Sequence, residues 1–239
     1  MSIFHGLEQV THVSWVFWSA LFTGALLVAT GALVRSRLAA AHGGVVPDEG
    51  LSVRNVLEML VEMLANLARD NMGPNWRRYF PFIGTIFVFI LFSNLIGLIP
   101  GIDGATSDAN TTWAWAIISF LLHQYVGIRE HGLGYVKHFL GPSLYDLKLG
   151  GKTYHLRLLA PIYTPIELLS HVSRVFTLAV RLLANMFADH TVVAVWLLLV
   201  PAVVPAIFMG LGVLVAFLQA YVFAMLSMIY IGLALEEAH

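Results

Sequence analysis

The chain has 239 residues, of which 59% are hydrophobic and only 11% charged, with a formal net charge of -1. A soluble globular chain carries about 25% charged residues because its surface needs them to stay in water, so a soluble enzyme and a disordered linker are excluded. The near-zero charge also excludes the basic excess of a nucleic-acid binder, and zero cysteines exclude disulfides, thiolate metal sites and cysteine nucleophiles.

The composition predicts an all-α integral membrane protein, with residues 1–239 forming a single membrane domain. A hydrocarbon core of about 30 Å takes about 20 apolar helical residues. In chain order, about five transmembrane helices are predicted, near 13–34, 80–99, 113–128, 162–200 and 206–235. Met1 to Thr11 contains Glu8 and no basic residue, and no small-residue cleavage site follows the first apolar run, so that run is predicted as a retained span and not a secretory signal. Between the first two spans, 51–71 places Val53, Val56, Leu57, Leu60, Leu64, Leu67 and Ala68 at helical spacing, opposite Arg54, Glu58, Glu62 and Arg69. This is an amphipathic helix expected on the inner membrane surface or against a partner, with Pro47, Pro74 and Pro81 punctuating its flanks.

Eleven of the 13 basic residues fall in two stretches. Arg35, Arg37, Arg54, Arg69, Arg77 and Arg78 lie between spans one and two; Arg129, Lys137, Lys148, Lys152 and Arg157 lie between spans three and four. The N-terminal segment, the loop Gly101 to Thr112 and the turn Pro201 to Pro205 hold none, which places them outside by the positive-inside rule. The C-terminus, with Glu236 and Glu237, is then inside.

The fourth span breaks the rule that polar residues sit at span ends. Glu167, Ser170, His171, Arg174, Thr177, Arg181, Asn185 and His190 recur at offsets of 0, 3, 4, 7, 10, 14, 18 and 23, one stripe on one helix face. At about 1.5 Å per residue, Glu167 and Arg181 are roughly 21 Å apart along the axis, so a polar track reaches into the membrane from the inner side. An Arg at a helix centre costs about 2.5–3.5 kcal/mol on insertion scales, which marks Arg181 as functional unless it snorkels or pairs with Glu167 or Asp189. In the last span Gln219 is followed by Ser227 and Tyr230 on one face. Gln can hold an Arg without cancelling its charge, and it can equally serve as helix–helix glue.

The stretch Arg181-Leu182-Leu183-Ala184-Asn185-Met186-Phe187-Ala188 resembles the arginine motif of subunit a of F-type ATP synthases. Phe92-Ser93-Asn94-Leu95-Ile96-Gly97-Leu98-Ile99-Pro100, Asp108-Ala109-Asn110-Thr111-Thr112, Leu218-Gln219-Ala220-Tyr221-Val222-Phe223 and the tail Glu236, Glu237 and His239 follow in the family's order. The resemblance covers nearly the whole chain. It implies a non-catalytic stator proton channel in the bacterial inner membrane, with two long tilted helices against a rotor c-ring and with peripheral-stalk b subunits as further partners. No cofactor, metal, nucleotide or nucleic acid is implied for this chain, which has no glycine-rich phosphate loop.

Carried over by position, Arg181 matches the essential arginine, Asn185 the asparagine one turn later and Gln219 the facing glutamine. Glu167, with Ser170 and His171, matches the inner half-channel. Asn94, Asp108 and Asn110 match polar positions near the outer one, and His190 matches a titratable position nine residues beyond the arginine. Two departures stand out. The usual glycine before the asparagine is Ala184, and the complementary His or Glu seven residues before the glutamine is Gly212. Asp189 could supply the missing acid, or water could fill the space beside Gly212.

Two other classes were weighed. Ten histidines admit a haem-binding electron-transfer protein, which needs facing His pairs on neighbouring spans, and His123, His171 and His190 are the ones in or near spans. No His-Glu-x-x-His metalloprotease motif occurs. A stand-alone transporter commonly shows repeated halves, and no internal repeat is visible.

Overall fold

The computed structural model describes residues 3–11, 13–40, 53–132, 145–149, 152–156, 160–200 and 203–236. Pro47, Leu51, Lys137, Arg157, Pro201, Glu237 and His239, which entered the sequence reading, lie outside them. The described residues form helices α1 (Ile3–Thr11), α2 (Trp15–Ala40), α3 (Val53–Met72), α4 (Trp76–Gly97), α5 (Ala109–His131), α6 (Ala160–Leu199) and α7 (Val203–Glu236). Between α5 and α6 lies one antiparallel hairpin, β1 (Tyr145–Leu149) and β2 (Lys152–Leu156), in which Asp146 pairs with His155 and Lys148 with Thr153. The all-α expectation therefore holds for the apolar part of the chain, with a small hairpin added.

Among the described residues, four stretches are long and apolar enough to cross a membrane: Trp15–Ser36, Arg54–Gly97, Thr164–Leu199 and Val203–Leu235. The predicted third span is a helix, α5, whose 23 residues reach about 34 Å, enough for a crossing. It is not among the four. Asn110, Ser119, His123, Gln124, Arg129 and Glu130 dilute its hydropathy. Helix α6, with 40 residues, is about 60 Å long, twice the hydrocarbon thickness, so it cannot lie wholly within the bilayer along its normal.

Helices α4, α5, α6 and α7 share one core. Ile83, Phe87 and Ile90 of α4 meet Leu178 and Leu182 of α6 and Phe223, Met228 and Ile231 of α7. Ala116, Ala179, Ala220 and Ala224 are fully or almost fully buried there, and such small side chains let helix backbones approach where lipid supplies no hydrophobic drive.

Helix α3 is amphipathic as expected, and part of its apolar face packs on this same chain: Leu64, Ala68 and Met72 are buried against α4 and α7, while Val56 stays exposed. The approach is close enough that a Cβ on Gly232 would strike the carbonyl oxygen of Asn71. Arg54, expected on the polar face, is buried, with Nε 2.7 Å from Glu58 Oε1. A carboxylate one helical turn away is what lets a guanidinium leave water.

The two ends of the bundle are tied by polar contacts. At one end Ile3 N donates to the Gly101 carbonyl at 3.1 Å, and His5 Nε2 lies 3.6 Å from Asp103 Oδ2. At the other, His131 Nε2 is 2.8 Å from the Ala234 carbonyl, and Arg78 is 3.8 Å from Glu130. The N-terminal helix and the α4–α5 turn thus share one end, and the α5 and α7 termini share the opposite, basic end.

Candidate functional site

His190, 23 residues from Glu167, is turned about 140° from the rest at 3.6 residues per turn, and the polar stripe of α6 is a partly buried face from Glu167 and Ser170 through His171 and Arg174 to Arg181 and Asn185. Its exception is Thr177, which is exposed. Near the helix middle, Asn185 Nδ2 donates to Gln219 Oε1 at 2.8 Å, joining α6 to α7 one turn from Arg181. Gln219 is buried and Arg181 half-buried. Among the described residues no carboxylate comes within ion-pair distance of Arg181, so the alternative pairing with Glu167 or Asp189 is not adopted. Glu167 Oε1 instead lies 3.4 Å from His171 Nε2. Next to the arginine, Phe176, Val180 and Phe187 are exposed, as are Leu211, Leu214 and Leu218 of α7.

Toward the end that holds α1, Asp189 and His190 line a cavity of about 250 Å³ with Gly97, Pro100, Asp103 and Val193. His190 Nε2 lies 2.8 Å from the Gly97 carbonyl oxygen. A carbonyl can only accept, so Nε2 carries the hydrogen and Nδ1 is the nitrogen that can take up another proton. Asp103 was missed by sequence reasoning, as was His5, which bridges Glu8 at 3.3 Å and Asp103 at 3.6 Å. The available signal was an acid just after Pro100-Gly101 in a loop without basic residues.

Asn94, Asp108 and Asn110 do not line this cavity. Asn94 is fully buried, with Oδ1 accepting from Thr106 Oγ1 at 2.6 Å, while Ser93 Oγ accepts from Thr106 N at 3.0 Å. These contacts clamp the α4–α5 turn onto α4, where Gly104 lies too near the Ser93 carbonyl to admit a Cβ. Asp108 caps α5, its Oδ1 accepting from Asn110 N at 2.7 Å.

No water space remains beside Gly212. An ideal Cβ there would stand 2.5 Å from Leu98 Cδ2, so the leucine occupies the place that a His or Glu side chain would need. Gly212→Ala is expected to force Leu98 to shift at a cost of about 1–3 kcal/mol. Thermal inactivation of the purified complex measures this, and Leu98→Ala should restore most of the loss.

His123 and His171 do face each other from α5 and α6, with ring centroids 5.8 Å apart. The cavity beside them has about 10 Å³ of room for water centres, about one molecule and far too little for a porphyrin. The haem alternative fails on size.

A family model described as "ATP synthase A chain" matches residues 16–232. The chain is 42% identical over 233 residues to ATP synthase subunit a 1 of Syntrophotalea carbinolica, which covers 98% of this chain and 88% of that one. It is 39% identical over 213 residues to ATP synthase subunit a of Bdellovibrio bacteriovorus, covering 89% and 87%. A similar relative from Sulfurihydrogenibium sp., also named ATP synthase subunit a, is 42% identical over 186 residues, covering 78% and 84%.

Proposed function

The chain belongs to the ATP synthase subunit a family, and we propose that it forms the stator side of the proton path, passing protons to and from carboxylates of a rotor c-ring through two offset half-channels. It does no chemistry on nucleotide; it converts proton flow into rotation. The observation that carries this reading is the Asn185–Gln219 hydrogen bond, which ties α6 to α7 beside a mid-helix arginine that has no carboxylate within ion-pair distance among the described residues. A fixed cation is thereby left for a charge supplied from outside the chain. The uncovered apolar faces of α6 and α7 on either side of it suit a ring of small helical subunits.

A rotor carboxyl facing lipid stays protonated, because an isolated charge in hydrocarbon is far costlier than the neutral acid. Opposite Arg181, at about 4 Å and an effective dielectric near 20, the carboxylate gains roughly 4 kcal/mol, equal to about three pKa units. The proton then leaves on one side, and a second must arrive from the other before that site returns to lipid. Arginine suits the position because it does not deprotonate, so it separates the two paths without relaying between them.

In this reading Asp189 and His190 serve the outer path, with Asn94, Asp108 and Asn110 shaping the turn above it. Glu167, Ser170 and His171 serve the inner one. The chain crosses the bacterial plasma membrane five times with α5 as the third span, its N-terminus outside and its C-terminus in the cytoplasm. Beside the c-ring, peripheral-stalk b subunits hold it as stator. Vesicles stripped of the nucleotide-hydrolysing head test the inner path: Glu167→Gln is expected to lower passive proton conduction about a hundredfold, the lower range for a positioned proton-transfer group. Unchanged conduction removes Glu167 from the path.

A further inference from the structure

Helix α5 holds a buried histidine that none of the assignments above uses. His123 is 5% exposed and faces the 4% exposed His171 of α6, with ring centroids 5.8 Å apart. Tyr230 of α7 lies on another side of it at 6.2 Å, and Phe120 packs against both imidazoles. The titratable and charged groups around it are therefore His171, Glu167 and Arg174 on α6 and Tyr230 on α7.

We propose that His123 is the proton-sharing partner of His171, the two imidazoles holding one excess proton between them before it passes to Glu167. This rests on the reading of Glu167 and His171 as the inner path. Arg174 lies over the Tyr230 ring at 4.9 Å and lines the same small cavity as His123. Beside that fixed positive charge, two imidazolium rings cannot both persist, so the pair takes up and releases one proton at a time. Ser119, which also lines the cavity, has its hydroxyl 2.8 Å from that of Ser227, making this wall polar. The cavity, about the size of one water, lies on the His123 side of the pair.

The step changes only N–H and O–H bonds. A proton arriving from the rotor side adds to an unprotonated imidazole nitrogen of the pair. His171 then gives its Nε2 proton to the Glu167 carboxylate, 3.4 Å away, leaving a neutral imidazole and a neutral carboxyl. Glu167 releases that proton to water at the basic end of the bundle. His171 lies one turn closer to Arg181 than Glu167 does, so the order from rotor to exit follows the helix.

The test is passive proton conduction through head-stripped vesicles containing the whole membrane sector, normalised to assembled complex and measured across the histidine pH range. His123→Gln keeps a polar side chain but cannot carry the charge. It should move the midpoint of the profile by about one pH unit, the usual spread that folded environments impose on histidine. The double variant with His171→Gln should match His171→Gln alone, because the pair acts as a unit. His123→Asn replaces His123→Gln if the latter fails to assemble. A wild-type profile in the His123 variants, with Glu167→Gln still altering conduction, overturns the inference and leaves the inner-path reading intact. Wild-type conduction in both overturns that reading too.

Discussion

Arg181→Ala is expected to abolish proton-driven ATP synthesis in membranes where the complex still assembles. The side chain is half-buried mid-helix, and among the described residues it has no carboxylate within 4.0 Å, so its removal orphans no ion-pair partner within the chain. What is lost is the fixed charge that ionises a passing rotor carboxyl. With roughly 4 kcal/mol of attraction removed, the ionised site becomes about a thousandfold rarer, and synthesis should fall by about three orders of magnitude. Arg181→Lys should not restore it, because an ammonium can deprotonate in a dry site and join the two half-paths. Immunoblots of subunit a and the ring report assembly, and succinate- or NADH-driven synthesis reports function. Normal synthesis in an assembled Arg181→Ala complex would falsify the central assignment.

His190→Ala carries the second large effect, on the other side of the arginine. The Gly97 carbonyl holds Nε2–H at 2.8 Å, which leaves Nδ1 to bind and release a travelling proton. Removing the ring is expected to lower proton conduction about tenfold. This is less than the hundredfold of a sole proton carrier, because Asp189 lines the same cavity. Asp189→Asn alone should cost less, and the double variant more than the product of the two, since each is the other's substitute. The double variant also separates the two side chains from water: conduction that persists in it assigns the outer path to water in the cavity.

Both predictions concern residues that stand out in the sequence, and the reason is physical. A bilayer makes polar groups expensive, so in a chain with 11% charge a mid-span Arg181 or a polar stripe at 3.6-residue spacing is visible without any structure. The apolar runs near 13–34, 80–99, 162–200 and 206–235 became parts of α2, α4, α6 and α7 for the same reason: each is a local property of consecutive residues. The hairpin was legible too and was missed. Tyr145 to Leu149 and Thr153 to Leu156 alternate apolar with polar residues on either side of Gly150-Gly151, which is a hairpin signature.

Other features required the fold. The amphipathic pattern of α3 says that one face seeks cover but not from what, and α4 and α7 of the same chain cover the part that holds Leu64, Ala68 and Met72. Gly212 reads as a missing acid or a water site, yet a leucine 114 positions earlier fills the space. Asn94 and Asp108 match polar path positions by order, while their hydrogen bonds shape the α4–α5 turn. His123 is one of three histidines in or near spans, with no assigned partner, until α6 sets His171 against it.

The amino-acid order by itself therefore determined that this is a membrane protein, where its apolar helices run and which charge stands alone among them, because hydropathy and helical period depend only on near neighbours in sequence. Only the tertiary structure decided which polar groups meet. Side chains on different helices come within hydrogen-bond reach through the packing of whole faces, and a small residue such as Gly232 or Gly212 sets that approach from far along the chain.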